Sequence, residues 1–158
     1  MTLEALLADR AIDVGQMMKR LNRVAQEEGL PLGNRKMTYN SRLAQEMGKW
    51  AESQGRGDPF HNAVFRAYFA EGRNIAKTPE LVQLARSAGL SGDAAKEIVD
   101  TRAFRGPVDQ DWTRARALGI AAVPTFILNH QTVVGAQPYE VLERFLISNL
   151  VERRDSGP

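Results

Sequence analysis

The chain has 158 residues, 43% of them hydrophobic and 25% charged, with 21 basic against 19 acidic side chains and a formal net charge of +2. Charges of both signs interleave along it, which excludes the basic stripe of a nucleic-acid binder and marks solvated helix faces instead. With no cysteine and only two histidines, His61 and His130, the composition excludes disulfides, thiolate metal sites, a cysteine nucleophile and a multi-histidine metal centre.

In chain order the sequence reads as helix almost to its end. Thr2 to Asp9 is a short helical stretch. From Asp13, an N-cap by residue type, apolar side chains recur at Val14, Met17, Met18, Leu21, Val24 and Ala25. Those spacings of three and four predict a core-facing amphipathic helix, closed by Gly29. Residues 29–34 are a loop by their glycines and proline. A helix from Asn40 or Ser41 carries Leu43, Ala44, Met47, Trp50 and Ala51 on one face and stops near Gly55 to Gly57. The next is expected to begin with Pro59 at its first position and to carry an aromatic stripe of Phe60, Val64, Phe65, Tyr68 and Phe69. Shorter helices follow from Thr78-Pro79 to Ala88, from the cap Ser91 to Thr101, and from Pro107 to Leu118-Gly119.

The period then changes. Residues 123–128, Val-Pro-Thr-Phe-Ile-Leu, are a short apolar run rich in strand formers, read as a strand buried on both faces. A polar turn at 129–131 and a returning strand 132–134 complete an antiparallel hairpin. Gln137-Pro138 opens a last helix with a buried stripe of Val141, Leu142, Phe145, Leu146 and Leu150, and residues 152–158 form a charged tail expected to fray. The sum is about seven helices and two strands. A two-stranded sheet is marginal, and the strand 125–128 has one edge without a neighbour.

Outside the hairpin, few residues invite chemistry. His61 sits beside Phe60 and Phe65 and reads as a hydrogen-bonded, partly buried side chain; His130 reads as an exposed turn residue. Residues 29–36 lack both the preceding strand and the Gly-Lys-Ser/Thr ending of a phosphate loop. The aromatic stripe at 60–69 reads as core, and Glu46 and Glu71 as single carboxylates without partners. No cofactor or metal is implied. No apolar run approaches the roughly 20 residues of a membrane span, and no export signal opens the chain, so the expectation is a cytoplasmic protein without membrane or nucleic-acid partners.

Four segments carry a family resemblance. Residues 121–128 (Ala-Ala-Val-Pro-Thr-Phe-Ile-Leu) followed by 133–142 (Val-Val-Gly-Ala-Gln-Pro-Tyr-Glu-Val-Leu) resemble the end of DsbA-like thioredoxin proteins, the FrnE-like branch in particular. Residues 40–50 and 65–74 look like that family's helical insertion, and 114–119 like the helix leading into its cis-proline loop. The resemblance implies an α/β, mostly helical protein: a truncated thioredoxin-like fold with a helical insertion at about 10–105 and a remnant thioredoxin part, hairpin plus helix, at about 107–150 of one 1–158 domain. The family's opening strand-Cys-x-x-Cys-helix-strand unit, roughly 30 residues or more, has no counterpart before Met1. The chain is therefore expected to be a fragment, a natural truncation or the product of a start assigned too far downstream, with the last two favoured because Met1 falls at an element boundary.

Thiol–disulfide exchange needs an activated thiolate, and no other side chain substitutes. The expected function is that of a DsbA-like thiol-disulfide oxidoreductase family protein that is redox-inactive in this form, with no catalytic residue of its own. What the resemblance leaves is a substrate platform: a cis Val123–Pro124 bond, with Val123, Pro124 and Thr125 pairing with an extended peptide or protein substrate. The alternatives are a non-redox peptide- or partner-binding module using the same loop, and a relative of the glutathione-dependent 2-hydroxychromene-2-carboxylate isomerases. The bare edge at 125–128 further predicts a homodimer in which two such edges pair.

Overall fold

The computed structural model describes residues 1–152, so most of the charged tail expected to fray lies outside the described residues. The chain divides into two compact units, residues 1–109 and residues from 110 onward.

The first unit is helical. Helix α1 (Leu3–Leu6) is capped by the Thr2 hydroxyl, which accepts the Ala5 N–H at 3.1 Å. The N-terminus is tied down by a bridge between Thr2 and Met37, with the Leu3 N–H donating to the Lys36 carbonyl. In α2 (Val14–Glu27) the Asp13 carboxylate accepts the Gln16 N–H at 2.9 Å, as its residue type predicts. The expectation that α2 faces a core is wrong: none of its residues is buried, and Leu21 and Val24 are 46% and 43% exposed. Periodicity reports that a helix has an apolar face, not that its own chain covers that face.

The core lies among α3 (Arg42–Ser53), α4 (Gly57–Phe65), α5 (Thr78–Ser87) and α6 (Gly92–Thr101). Met47 of α3, Phe60 of α4 and Leu81 of α5 are completely enclosed, each contributing about 1.5–3 kcal/mol of burial. Trp50, Ile75, Leu84 and Val99 pack around them. Helix α4 begins two residues before Pro59 and α7 (Arg105–Ala117) two before Pro107, so neither proline opens its helix. Proline is tolerated throughout the first turn, whose N–H groups lack intrahelical acceptors, so it marks a helix start only to within a few residues. After α4 the backbone widens into a single π-helical turn, Arg66–Ala70.

One buried charge ties this unit together. Glu46, 2% exposed, accepts the Arg42 Nε at 2.7 Å from one turn earlier on α3. It also accepts two N–H groups of Arg102 at 2.7 Å each, from the left-handed residue that ends α6. Arg42 in turn reaches Asp109 and the Arg105 carbonyl of α7. The hydrogen bonds from Arg102 above all hold the Glu46 carboxyl below the usual carboxylate range, against the opposing effect of burial, with Arg42 adding to them. The expectation of partnerless carboxylates is thus corrected: Glu46 has two arginines, and Glu71 has Arg66 and Arg73. Three of these four pairs lie near in sequence; Arg102 is 56 positions away and invisible there.

The second unit holds strands β1 (Thr125–Leu128) and β2 (Gln131–Val134) and helix α8 (Tyr139–Ser148). The strands pair antiparallel from Thr125 opposite Val134 to Leu128 opposite Gln131. They form a two-stranded sheet, β1–β2, among the described residues. Asn129 and His130 both take positive φ (47° and 65°), the conformation that a two-residue hairpin loop matched to strand twist requires.

Two burial expectations fail here. Strand β1 is not covered on both faces: Phe126 and Ile127 are 38% and 39% exposed. In α8, Val141, Leu142 and Phe145 are half-buried, but Leu146 and Leu150 are 44% and 90% exposed. The reason is common to both. A hairpin and one helix offer too few surfaces to enclose the apolar positions they carry.

Candidate functional site

Between α7 and β1, residues 118–124 approach the hairpin. The Val123–Pro124 peptide bond is cis, and Val123 stands 87% exposed beside it. The Thr125 hydroxyl donates to the Ala122 carbonyl at 2.6 Å, closing a small side-chain turn around the proline. On the other side the Gly135 N–H donates to the Pro124 carbonyl at 2.8 Å, extending the ladder one step past β2. Gly135 itself has φ of 90°, which side-chain-bearing residues rarely adopt.

That last bond fixes which backbone groups remain free. Residue pairs in an antiparallel ladder alternate between those that exchange hydrogen bonds and those that do not. With Pro124 bonded to Gly135, the pairs Phe126–Val133 and Leu128–Gln131 face inward to the ladder. The N–H and C=O groups of Thr125 and Ile127 therefore point to the opposite edge, in line with Val123. The three residues singled out in the sequence, Val123, Pro124 and Thr125, sit together at the start of this edge.

A side-chain network steadies the turn end. Asn149, 6% exposed just beyond α8, donates through Nδ2 to Gln131 Oε1 at 3.1 Å and to the Phe145 carbonyl at 2.8 Å. Its own carbonyl accepts the Asn129 Nδ2 at 3.2 Å. Sequence reasoning missed Asn149, because a single asparagine after a helix carries no signal of a partner 18 or 20 positions earlier. Among the described residues from 110 on, Asn149 is the only buried side chain; every apolar one is half-buried or exposed.

His61 and His130 take no part in this edge. His61 pairs with Glu52 at 3.1 Å in the first unit, and His130 is exposed at the turn. No group of three or more histidine, aspartate or glutamate side chains suited to a metal ion occurs among the described residues. Among those residues no helix is long and apolar enough to cross a membrane.

The family of the DSBA-like thioredoxin domain matches residues 7–146. An uncharacterized protein of Bacillus subtilis, YwbO, is 33% identical over 103 residues, which is 65% of this chain and 52% of that protein. The chain thus spans about half the length of that relative. The crystal structure of a probable DsbA oxidoreductase from Streptomyces coelicolor matches with a TM-score of 0.80 at 27% identity, covering 99% of this chain and 70% of that one.

Proposed function

The chain belongs to the DSBA-like thioredoxin domain family, and from that premise we propose that its cis-proline hairpin is a strand-accepting platform. It is a DsbA-like oxidoreductase family protein with no cysteine among its 158 residues, and in this form it is redox-inactive. Neither a thiolate nor the sulfur that would leave in an exchange is present.

The platform proposal covers Val123, Pro124 and Thr125 and the edge that runs on to Leu128. One observation carries it: an open strand edge in a unit whose apolar side chains are nowhere fully buried. Unpaired N–H and C=O groups beside exposed Phe126 and Ile127 are a template for one more strand. The proposed occupant is the same edge of a second copy, lying antiparallel, so that two hairpins make one four-stranded sheet about a two-fold axis. A cytoplasmic location belongs to the same reading and is tested by cell fractionation.

Light scattering over a rising concentration series, from micromolar upward, is the primary test, with a concentration-dependent dimer expected. Ile127→Pro removes an N–H from the open edge without touching a β1–β2 bond, so the hairpin survives and the dimer is lost. Amide exchange at Thr125 and Ile127 should be slow in the dimer, and in the variant exchange at Thr125, the one of these two amides that it keeps, should be fast. A monomer with rapid exchange at both amides overturns the reading. A monomer that takes an extended apolar peptide, with protection of the same two amides, replaces the second copy by a peptide substrate. Insulin reduction above the buffer rate would refute redox inactivity.

A further inference from the structure

On the reading that β1 accepts a strand, we propose that Gln137 closes the outer edge of β2, so that addition occurs at β1 alone and ends at two copies. Gln137 is thereby the residue that decides which edge of the hairpin is used.

A two-stranded sheet has two outer edges. The alternation that frees Thr125 and Ile127 on β1 also frees their opposite numbers, Val134 and Thr132, on β2. The N–H and C=O groups of those two residues turn away from β1. By backbone alone the two edges match, each presenting two residues to a new strand. Matching edges are hazardous, because β1 of one copy could pair with β2 of the next, head to tail, and such a sheet grows without closing.

The side chains remove that equivalence. Gln137 Nε2 donates to the Val134 carbonyl at 2.8 Å, so this outward acceptor is already bonded. The backbone turns back directly after β2 to allow it: Gly135 has φ of 90°, and a Cβ there would stand 3.6 Å from Gln137 Nε2. Pro138 follows as the N-cap residue of α8, and a proline restricts the backbone of the residue before it, which limits the ways Gln137 can leave the strand. An added antiparallel strand bonds each outward residue through both its N–H and its C=O. With the Val134 carbonyl taken, β2 keeps one complete partner, Thr132, against two on β1. No comparable cap covers β1. The Thr125 hydroxyl donates back to the Ala122 carbonyl, and among the described residues no side chain bonds the outward backbone groups of Thr125 or Ile127. The pairing that remains is β1 with β1, which is two-fold and closes.

The test follows oligomer size by sedimentation, and amide exchange, from micromolar to millimolar concentration. The wild type should stop at a dimer, with exchange slowed at Thr125 and still fast at Val134. Gln137→Ala removes the cap and should carry the sheet past the dimer, slowing exchange at Thr132 and Val134 by about fivefold. Combining Gln137→Ala with Ile127→Pro tests β2 by itself: Ile127→Pro alone should stay monomeric and the double variant should associate. Exchange at Phe126 and Val133, whose N–H groups lie inside the ladder, shows whether the hairpin is intact in each chain. A double variant that keeps its hairpin yet stays as monomeric as Ile127→Pro overturns the role of Gln137. So does a wild type that grows beyond the dimer with slow exchange at Val134, a result that depends on no variant folding. A monomeric wild type refutes the β1 reading instead, and the comparison of the two Ile127→Pro chains then decides the role of Gln137 on its own.

Discussion

Replacing Glu46 by Gln isolates the one deeply buried charge of the first unit. The carboxylate accepts three N–H groups, all at 2.7 Å, from Arg42 and Arg102. Glutamine keeps the volume and one acceptor oxygen, but its amide nitrogen faces an arginine donor. One charge-assisted bond is therefore lost outright, and the others fall to the weaker strength of neutral acceptors. Removing one side of a buried ion pair costs about 3–5 kcal/mol when the remaining charge is stranded. Here the penalty is softened, because Arg42 keeps Asp109 and the Arg102 side chain is 42% exposed to water. The expected loss is about 3 kcal/mol, read as a fall of roughly 1–2 M in the urea midpoint by fluorescence of buried Trp50. The pH dependence has a definite sign. The folded carboxyl titrates below its unfolded value of 4.5, so its contribution is complete above that pH and drains away as the pH falls through the folded value. Wild type and variant should therefore differ most near neutrality and converge in acid below pH 4.5. A variant within about 0.5 kcal/mol of wild type at pH 7 would refute the reasoning.

Two further substitutions probe local geometry. Gly33→Ala places a methyl against the Ala70 carbonyl, with backbone on both sides and nothing that can swing away; a loss of about 2 kcal/mol is expected in the same urea titration, and an unchanged midpoint would show that the loop yields freely. His130→Gly relieves a side-chain-bearing residue at φ 65° in the hairpin turn. It should slow amide exchange of Phe126 and Val133 by about five- to tenfold, equivalent to about 1 kcal/mol of local stability, whereas faster exchange would contradict the turn assignment.

Much of the architecture was legible because it is written locally. Asp13 and Ser91 announce their helices by bonding N–H groups three residues on, and the apolar spacing of α3 names Ala44, Met47, Trp50 and Ala51 as its buried face. The change of period at Val123 marks the hairpin and with it the candidate site. What periodicity could not supply was the identity of the covering surface. Leu21, Ile127 and Leu146 carry the pattern of buried residues yet remain 46%, 39% and 44% exposed. The pairing of Glu46 with Arg102 was equally hidden, since it depends on where α6 ends against α3. The aromatic stripe misled in the same way: Phe60 is enclosed, but Phe65 at the end of α4 and Phe69 in the π-helical turn are 58% and 37% exposed, so one apolar stripe divides between core and surface.

Magnitudes restrict what the hairpin edge can do alone. In the proposed dimer a two-fold axis beside Phe126 sets Thr125 of each copy opposite Ile127 of the other, which allows about four new backbone hydrogen bonds. At about 0.5–1.5 kcal/mol net each they contribute about 2–6 kcal/mol, against an association cost of about 4–15 kcal/mol. Backbone pairing therefore does not suffice, and side chains must decide the outcome. Phe126 and Ile127, at 38% and 39% exposure, are the β1 residues placed to do so, and burying their remaining surface adds about 1 kcal/mol apiece in each copy. The two contributions together reach the middle of the cost range, so the association should be weak and concentration-dependent, not obligate. A peptide competes for the edge on the same terms, since it too must offer apolar side chains beside its backbone. Specificity at this platform then lies in Phe126 and Ile127, the exposed apolar side chains of the strand that carries the open edge.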